Sequence, residues 1–338
     1  MSSLAEVALR AGVSKATASR ALSGALHVSL ETRDRVTAAA ADLGYVVSSS
    51  AASLVTGRTQ TIGVLTPFIN RWFFAEVIEG IESALVRKSY DLTLYRVGDD
   101  PEQRRQVFEY YLVRKRVDAV ITVGLSLAPE EVAQLHALGG PAVGTGGTIA
   151  GMMTMSIDDV AAGSLVTEHL LSLGHRRIVH LGGGSDEQRD FHAHAGRLEG
   201  FRSAMAAAGI QQDDDLRLTP FTIPGGYEVA LELLAHPHSR PTAIVAGCDE
   251  IAIGAITAAR QLGIQVPAQL SVVGIDDHSL ADMFGLTTVR QDPRGQGSRA
   301  VEILMADLAS GRRSTDTREL PVPTSLRVRS STTAPTDS

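Results

Sequence analysis

The alternation of short apolar segments with longer helical ones after Gln60 constrains the fold more than any other feature of this sequence. Residues 61–66, 92–96, 119–123, 142–144, 154–157, 178–181, 243–246 and 271–275 have the composition of short buried strands. Helical patterns lie between them, near 73–88, 102–115, 129–138, 160–173, 197–208, 226–235 and 250–262. Repeated strand–helix units predict mostly parallel sheets with helices on both faces.

These units form two series, which predicts two doubly wound subdomains with a cleft between them. Ligands bind such sheets at the carboxyl ends of the strands. We therefore expect a ligand site in the loops after Thr66, Leu181, Ala246 and Ile275.

The first 45 residues have a different pattern, which predicts three short helices. Gly12 stands where a helix would end, and Ser14 is a good N-cap for a second helix over 15–22. Ser29 opens a third helix that runs to Gly44. A domain this small is marginally stable, so we expect it to depend on a partner or on the rest of the chain.

Two helices around the turn at 12–14 predict a helix-turn-helix, whose second helix enters the DNA major groove by its N-terminal residues. Lys15 and Arg20 can donate to guanine, and Ala16 can offer a methyl contact. The hydroxyls of Ser14, Thr17 and Ser19 are placed for phosphates. The alternative is a three-helix surface with caps and solvated charges.

Charge and cysteine content limit the partners and the compartment. The net charge of −7 argues against nucleic acid, but the first 59 residues carry +2 and the remainder −9. The single cysteine, Cys248, excludes a disulfide scaffold and favours reducing cytosol. Without a long apolar run or a signal peptide, the sequence predicts a cytoplasmic protein that does not enter a membrane.

The sequence gives little support to catalysis. No Gly-Lys pair exists for a Walker loop, and 182–184 lacks the dinucleotide-binding spacing. Asp190, His192 and His194 form a weak metal motif. We expect no catalytic residue, metal or cofactor. The competing hypothesis is a sugar-binding protein without a DNA-binding role.

Several stretches carry a family resemblance. Residues 7–20, 28–33 and 43–45 resemble the DNA-binding headpiece of LacI/GalR-type bacterial transcriptional regulators, and the resemblance continues through 56–59, 61–64, 73–76, 173–178, 197–201, 267–277 and 287–291. It covers nearly the whole chain in the right order. It implies a small all-α helix-turn-helix headpiece followed by an α/β, periplasmic-binding-protein-like core of two doubly wound subdomains.

The resemblance also implies the domain boundaries. The headpiece would span 1–46, a hinge 47–59 and an effector-binding and dimerisation domain 60–330, before a polar tail at 331–338. One subdomain would comprise about 60–158 and 289–318, and the other about 159–288 and 319–330.

Such a headpiece would bind a roughly palindromic DNA operator as a homodimer. Lys15, Ala16 and Arg20 would read bases, while Ser14, Thr17, Ser19, His27 and Thr32 would contact the DNA backbone. Leu54 in the hinge would wedge into the minor groove. This hinge departs from the family at Val47, Ser48 and Ala52, where a Pro-Asn pair and an Arg are usual.

The larger part would sense a small sugar-like effector and control, as a repressor, a carbohydrate-utilisation operon. By resemblance its cleft would be lined by Phe73 and Phe74 in the first loop and by Arg197, Phe221, Cys248 and Asp276. Alternatively, the two phenylalanines are core residues, Arg197 forms a surface ion pair and Asp276 caps a loop or helix. Gly146 and Cys248 replace polar residues usual in the family. Arg71-Trp72 replaces Asn-Pro, which would add a cation for an acidic or phosphorylated sugar.

Overall fold

The computed structural model describes residues 2–22, 28–45, 58–114, 116–183, 193–211, 215–311 and 317–336. Within these ranges the chain forms two compact units. The first contains the residues up to Thr61 together with Arg116–Asp118, and the second contains the rest. Most of the expected hinge, including Val47, Ser48, Ala52 and Leu54, lies outside the described residues, as does His27.

The first unit contains three helices, α1 (Leu4–Ala11), α2 (Lys15–Leu22) and α3 (Leu30–Asp42). Gly12 ends α1 in the left-handed conformation, with φ of 65°. The Thr17 N–H donates to Ser14 Oγ at 3.1 Å, and the side chain of Ser29 caps α3. The buried core comprises Val7, Ala8, Ala11, Ala18, Ala21, Val36, Ala39 and Ala40. Six of these eight residues are alanines, whose side chains bury little apolar surface, so the core is small, as expected for a marginally stable unit.

The second unit contains two six-stranded sheets. Their strands, in chain order, are β1 (Thr61–Thr66), β2 (Asp91–Arg96), β3 (Ala119–Val123), β4 (Ala142–Thr145), β5 (Met153–Ser156), β6 (Ile178–Leu181), β7 (Leu216–Arg217), β8 (Ala243–Ala246), β9 (Ser271–Asp276), β10 (Thr287–Arg290), β11 (Glu319–Pro321) and β12 (Ser325–Arg327). The first sheet has the order β11-β5-β4-β3-β1-β2 and the second β12-β10-β9-β8-β6-β7. β12 runs antiparallel to β10, whereas β1–β3–β4–β5–β11 and β7–β6–β8–β9–β10 run parallel.

The helices of this unit follow the strands in the predicted alternation. They are α4 (Trp72–Val86), α5 (Pro101–Gln106), α6 (Pro129–Ala137), α7 (Asp159–Ser172), α8 (Ala193–Ala207), α9 (Ile223–Leu234), α10 (Asp249–Gln261), α11 (Ala281–Phe284) and α12 (Pro293–Ser310). The helix expected near 102–115 is shorter, because α5 passes into a π-helical turn at Val107–Tyr111 and a 3₁₀ turn at Leu112–Arg114.

Helices cover both faces of the second sheet. In β8, Ala243 and Val245 pack into the cluster formed with α7 and α8, whereas Ile244 and Ala246 pack into the cluster formed with α9 and α10. Successive strand residues point to opposite faces, so a run of four apolar residues indicates burial on both. The doubly wound prediction is confirmed for this sheet.

The main helix pairs pack through glycines. On α4 and α12, a Cβ at Gly80 would lie 2.1 Å from the carbonyl oxygen of Arg294, and one at Gly297 would lie 2.2 Å from that of Val77. The same reciprocal approach joins α7 to α8 through Gly163 and Gly200, and α9 to α10 through Gly226 and Gly254. These helices therefore approach to backbone contact.

The chain crosses between the two sheets three times. The crossings lie at 157–158 after β5, at 291–292 after β10 and at 322–324 after β11. The sheets thus divide the chain at different points from the boundaries expected near 289 and 319. In particular, β11 pairs with β5 in the first sheet. This strand has only three residues and ends in Pro321, so its sequence resembles a loop.

Candidate functional site

The second helix of the first unit presents the residues expected to read DNA. Lys15, Ala16 and Arg20 are exposed on α2, whereas Ala18 and Ala21 are buried behind them. The Nε of Arg20 donates to the carbonyl oxygen of Ala16 at 3.2 Å, so this side chain lies along its own helix. The exposed face of α2 therefore carries two cations beside a methyl group.

The hydroxyl residues expected to contact phosphates form two local pairs. Ser14 and Thr17 lie 2.9 Å apart through their side-chain oxygens, and Ser29 donates to Thr32 at the same distance. Ser19 is half-buried on α2. Since Ser14 also caps α2, its hydroxyl has a structural partner whether or not DNA is bound.

A cavity lies in the second unit at the carboxyl ends of both sheets. It has a volume of about 530 Å³, including the part open to solvent. The six residues expected there, Phe73, Phe74, Arg197, Phe221, Cys248 and Asp276, all line it. So do Arg71, Gly146, Ser156, Ile157, Asp159, Glu250, Gln291 and Gln296. The structure therefore brings together residues from widely separated parts of the sequence.

The helices and strands that carry these residues determine the positions of their side chains. Phe73 and Phe74 lie in the first turn of α4 rather than in the preceding loop, because the helix already begins at Trp72. Cys248 is the N-cap residue of α10. Asp276 ends β9 with φ of 137°, a conformation that non-glycine residues rarely adopt. Such strain is typical of functional sites, where the surrounding fold holds the residue in place.

Arg197 forms the most enclosed contacts of the cavity. Its Nε donates to Asp159 Oδ1 at 2.8 Å and its Nη1 to the carbonyl oxygen of Gly247 at 2.6 Å. Its Nη2 lies 3.9 Å from Asp276 Oδ1. Burial lowers the pKa of Arg197, but Asp159 and Asp276 outweigh burial, so the guanidinium stays charged. Arg197 thus forms a buried ion pair with Asp159 rather than a surface ion pair.

Asp276 is joined to the first sheet by a chain of hydrogen bonds. Its Oδ1 accepts from Gln291 Nε2 at 2.6 Å, and Gln291 Oε1 accepts from Gln296 Nε2 at 2.9 Å. Gln296 Oε1 accepts from the hydroxyl of Thr145 at 3.0 Å. Each amide is thereby fixed in one orientation. Gln291 lies in a crossing segment, so the chain of bonds runs through it from one half to the other.

Acidic groups around the cavity resist ionisation. Burial, followed by the charge of Asp276, raises the pKa of Glu250 to about 7, although Arg71 and the Trp72 N–H act in the opposite direction. Burial also raises the pKa of Asp276, against Arg197 and Gln291. Hydrogen-bond donors on a ligand would stabilise these carboxylates.

Aromatic rings supply the apolar walls. A Cβ at Gly146 would lie 3.0 Å from the ring of Phe73, and a Cβ at Gly247 would lie 3.1 Å from the ring of Phe221. The space where the family often has an acid is therefore occupied by Phe73. A ligand in the cavity would therefore contact the two phenylalanine rings as well as Arg197 and Asp276.

Sequence reasoning missed several lining residues. Asp159 starts α7 directly after the crossing, and Gln291 ends a stretch that carries the resemblance. The sequence thus marks Gln291 through the resemblance and Asp159 through its place just before a predicted helix. Gln296 lies one turn into α12, a helix that the sequence patterns did not predict, and it had no signal of its own. Within the described ranges, no group of three potential metal ligands occurs.

Comparisons with known proteins bear on both units. Residues 3–48 match the model of bacterial regulatory proteins of the lacI family, and residues 167–332 match that of a periplasmic binding protein-like domain. The HTH-type transcriptional repressor PurR of Vibrio vulnificus is 32% identical over 315 residues, which cover 90% of this chain and 91% of that protein. The chain belongs to the lacI family of bacterial regulatory proteins.

Other lacI-family proteins are similar over comparable lengths. The ribose operon repressor of Escherichia coli is 31% identical over 311 residues, which cover 90% of this chain and 92% of that protein. A crystal structure of the lac repressor dimer bound to operator and the anti-inducer ONPF matches with a TM-score of 0.84 and 27% identity, covering 98% of this chain and 99% of that one. This lacI-family chain is a DNA-binding transcriptional regulator with a helix-turn-helix headpiece and an effector-binding core.

The lacI-family relatives named here are repressors rather than enzymes. Among the described residues, no helix combines the length and apolar character needed to cross a bilayer.

Proposed function

We propose that this chain is a cytoplasmic repressor of a carbohydrate-utilisation operon, which binds a roughly palindromic operator as a homodimer and responds to a small sugar-like effector. The observation that carries the proposal is the cavity, in which Arg197, Asp276 and two phenylalanine rings converge in a chain that also has a helix-turn-helix. Paired polar groups beside aromatic rings suit a polyol, whose hydroxyls need partners and whose ring faces are apolar.

The DNA contacts of this repressor would come from its first 59 residues. Lys15, Ala16 and Arg20 read bases, and Leu54 enters the minor groove from a hinge at 47–59. The residues Ser14, Thr17, Ser19, His27 and Thr32 contact the DNA backbone. The exposure of Lys15, Ala16 and Arg20 on α2 supports these roles.

The effector class rests on the cavity and on one relative. Arg197 already donates to Asp159 and Gly247, so its free capacity is limited and Asp276 becomes the main acceptor for ligand hydroxyls. Arg71 lies beside Glu250, which weakens the case for an acidic sugar. A relative is named for a ribose operon, which favours a sugar ring.

Binding as a homodimer follows from the small charge of each headpiece. Linking two weak headpieces makes the second contact intramolecular and raises affinity by about 10²–10⁴. The lac repressor, to which the chain is structurally similar, was crystallised as a dimer on its operator.

The test is selection of DNA by the full-length protein, followed by gel shifts with and without a sugar panel. We expect a palindromic sequence to be bound in preference to random DNA, and one sugar to change that affinity. Equal binding to palindromic and random DNA would refute the regulator. A nucleobase panel run in parallel gives the counter-result for the effector, since a flat heteroaromatic ring would also pack on the phenylalanine rings that line the cavity.

A further inference from the structure

Contacts beside the cavity join the two halves of the core directly. Arg71 and Trp72 stand at the start of α4, which packs on the first sheet. Glu250 lies in the first turn of α10 and His278 follows β9, both in the half built on the second sheet. Trp72 stands in the sequence between two lining residues of the cavity, Arg71 and Phe73.

The first contact is a ring stack across the cleft. The ring centroids of Trp72 and His278 are 4.7 Å apart, with an interplanar angle of 34°. Two hydrogen bonds hold this histidine: its backbone N–H donates to Asp249 Oδ2 at 2.8 Å, and its ring Nδ1 accepts from the Leu280 backbone N–H at 2.9 Å. Only 8% of His278 is exposed. Trp72 therefore packs on a preorganised surface.

The second contact is a helix cap supplied from the other half. Arg71, at the N-cap position of α4, makes no side-chain capping bond. Glu250 accepts a hydrogen bond from the Trp72 backbone N–H and lies beside the Arg71 guanidinium. A carboxylate at this position satisfies a free helix donor and interacts favourably with the positive end of the helix dipole. The missing cap of α4 is thus provided by α10.

One group works against closure. The Trp72 indole Nε1 is buried, with no hydrogen-bond partner in the described part of the chain. A buried donor left without a partner lowers the stability of the closed contact. The contact is therefore stabilised by the stack and the cap but opposed by this donor, which favours reversible opening.

We propose that Arg71, Trp72, Glu250 and His278 form a latch that closes the cleft over the effector and restricts it to a molecule about the size of one sugar ring. All four residues belong to this chain, so the latch can close on its own. Arg71 and Glu250 also line the cavity, so a ligand that extended past them would have to separate the pair. The restriction in size rests on the proposed function, whereas the closing contacts do not.

The only tryptophan of the chain is Trp72, so fluorescence excited selectively at tryptophan rather than at the tyrosines reports on the latch alone. Acrylamide quenching of the full-length protein should be several-fold weaker than that of N-acetyltryptophanamide. Glu250→Ala and His278→Ala should each raise the quenching constant by about twofold or more, because local opening exposes the ring. Glu79→Ala is the matched control, because Glu79 lies on α4 with Trp72 but pairs with Arg294 and not with a latch residue.

The outcomes separate the two proposals. Quenching of the wild type as strong as that of N-acetyltryptophanamide overturns the latch. This measurement uses the wild-type protein alone, so it does not depend on whether a variant folds. An equal rise in Glu79→Ala also overturns it. D-ribose and cellobiose then serve as probes. Bound D-ribose that leaves Trp72 shielded supports confinement, and binding of cellobiose in the cleft of the wild type overturns the size restriction. Failure of every sugar to bind counts against the sugar effector, while the quenching comparison still decides the latch.

Discussion

Arg197 and Arg202 lie on the same helix and each pairs with an aspartate, but their surroundings differ. The Arg197 side chain is 4% exposed and that of Arg202 53%. An exposed ion pair contributes little to stability because water and salt screen it. A buried pair is different, since loss of one partner leaves an uncompensated charge.

Arg197→Met should therefore lower the free energy of unfolding by about 3 kcal/mol, because Asp159 and the buried Asp276 would both lose the cation beside them. Arg202→Met should cost less than about 1 kcal/mol, because the guanidinium of Arg202 is exposed and its ion pair is screened by water. Urea denaturation of both variants gives the comparison. Equal losses would contradict the role assigned to burial.

Glu250 gives the core a pH-dependent stability of definite sign. Its folded-state pKa is about 7, above the ordinary value of 4.5, so the folded protein holds this proton more tightly than the unfolded chain. The free energy of unfolding should fall as pH rises from about 4.5 to 7 and then level off for this group. Glu250→Gln should flatten that slope, and Glu79→Gln should not. Thermal melts across this pH range test it. A Glu250→Gln slope as steep as that of the wild type would exclude Glu250 as its source.

At the scale of elements, glycine pairs set the distance between helices. On α9 and α10, a Cβ at Gly254 would lie 2.3 Å from the carbonyl oxygen of Ile223 and 2.5 Å from the N of Tyr227. Neither is the end of a flexible side chain, so the helices themselves would have to separate. The layers over the second sheet therefore depend on residues that carry no side chain.

Gly254→Ala should destabilise the core by about 1–3 kcal/mol, the usual cost of overpacking. Gly147→Ala is the control, since an added Cβ there meets no atom within 4 Å. Calorimetric melting temperatures should fall for the first variant and stay nearly constant for the second. An unchanged melting temperature in Gly254→Ala would show that the helix pair can move apart freely.

Most strands and helices of the alternating strand–helix units were predicted from the sequence, whereas several elements towards the C-terminus were missed. Strands such as 61–66, 119–123 and 243–246 were predicted at their observed bounds, because a short run with three or four apolar residues between turns leaves little choice. β11 and β12 escaped, since three residues carry no readable period. α12 was also missed, although Asp292 and Pro293 mark its start.

The cavity shows a similar division at the level of side chains. Resemblance supplied Arg197, Phe221 and Asp276, but Gln296 joins them only through α12, and no local pattern marks it. Glu250 was likewise unforeseen, because its role depends on the start of a helix in the other half of the core. Contacts between distant segments leave no periodic trace in one sequence.

At the scale of the whole molecule, the acidic core and the weakly basic headpieces divide the work of binding DNA. A net charge of −9 outside the first 59 residues repels nonspecific DNA, so the homodimer proposed above would rely on specific contacts at two half-sites. Arg20 carries one of those contacts in the proposed function.

Arg20→Ala should weaken operator binding by about 1–3 kcal/mol per half-site and relax one base position. Binding to random DNA should change less, and the salt dependence should keep its slope, whereas loss of a phosphate contact lowers the slope by about 0.9. Arg35→Ala is the control, since Arg35 on α3 pairs with Glu31. Fluorescence anisotropy at several salt concentrations measures both. An equal loss on operator and random DNA would assign Arg20 to the backbone.

The three crossing segments give the core a mechanical property. The cavity is lined by Ile157, Asp159 and Gln291, which lie on or beside two of those segments. Rotation of the two halves about these segments would move each atom in proportion to its distance from them. The ligand contacts, which lie close to the segments, would hardly move, and the outer ends of both sheets would move furthest.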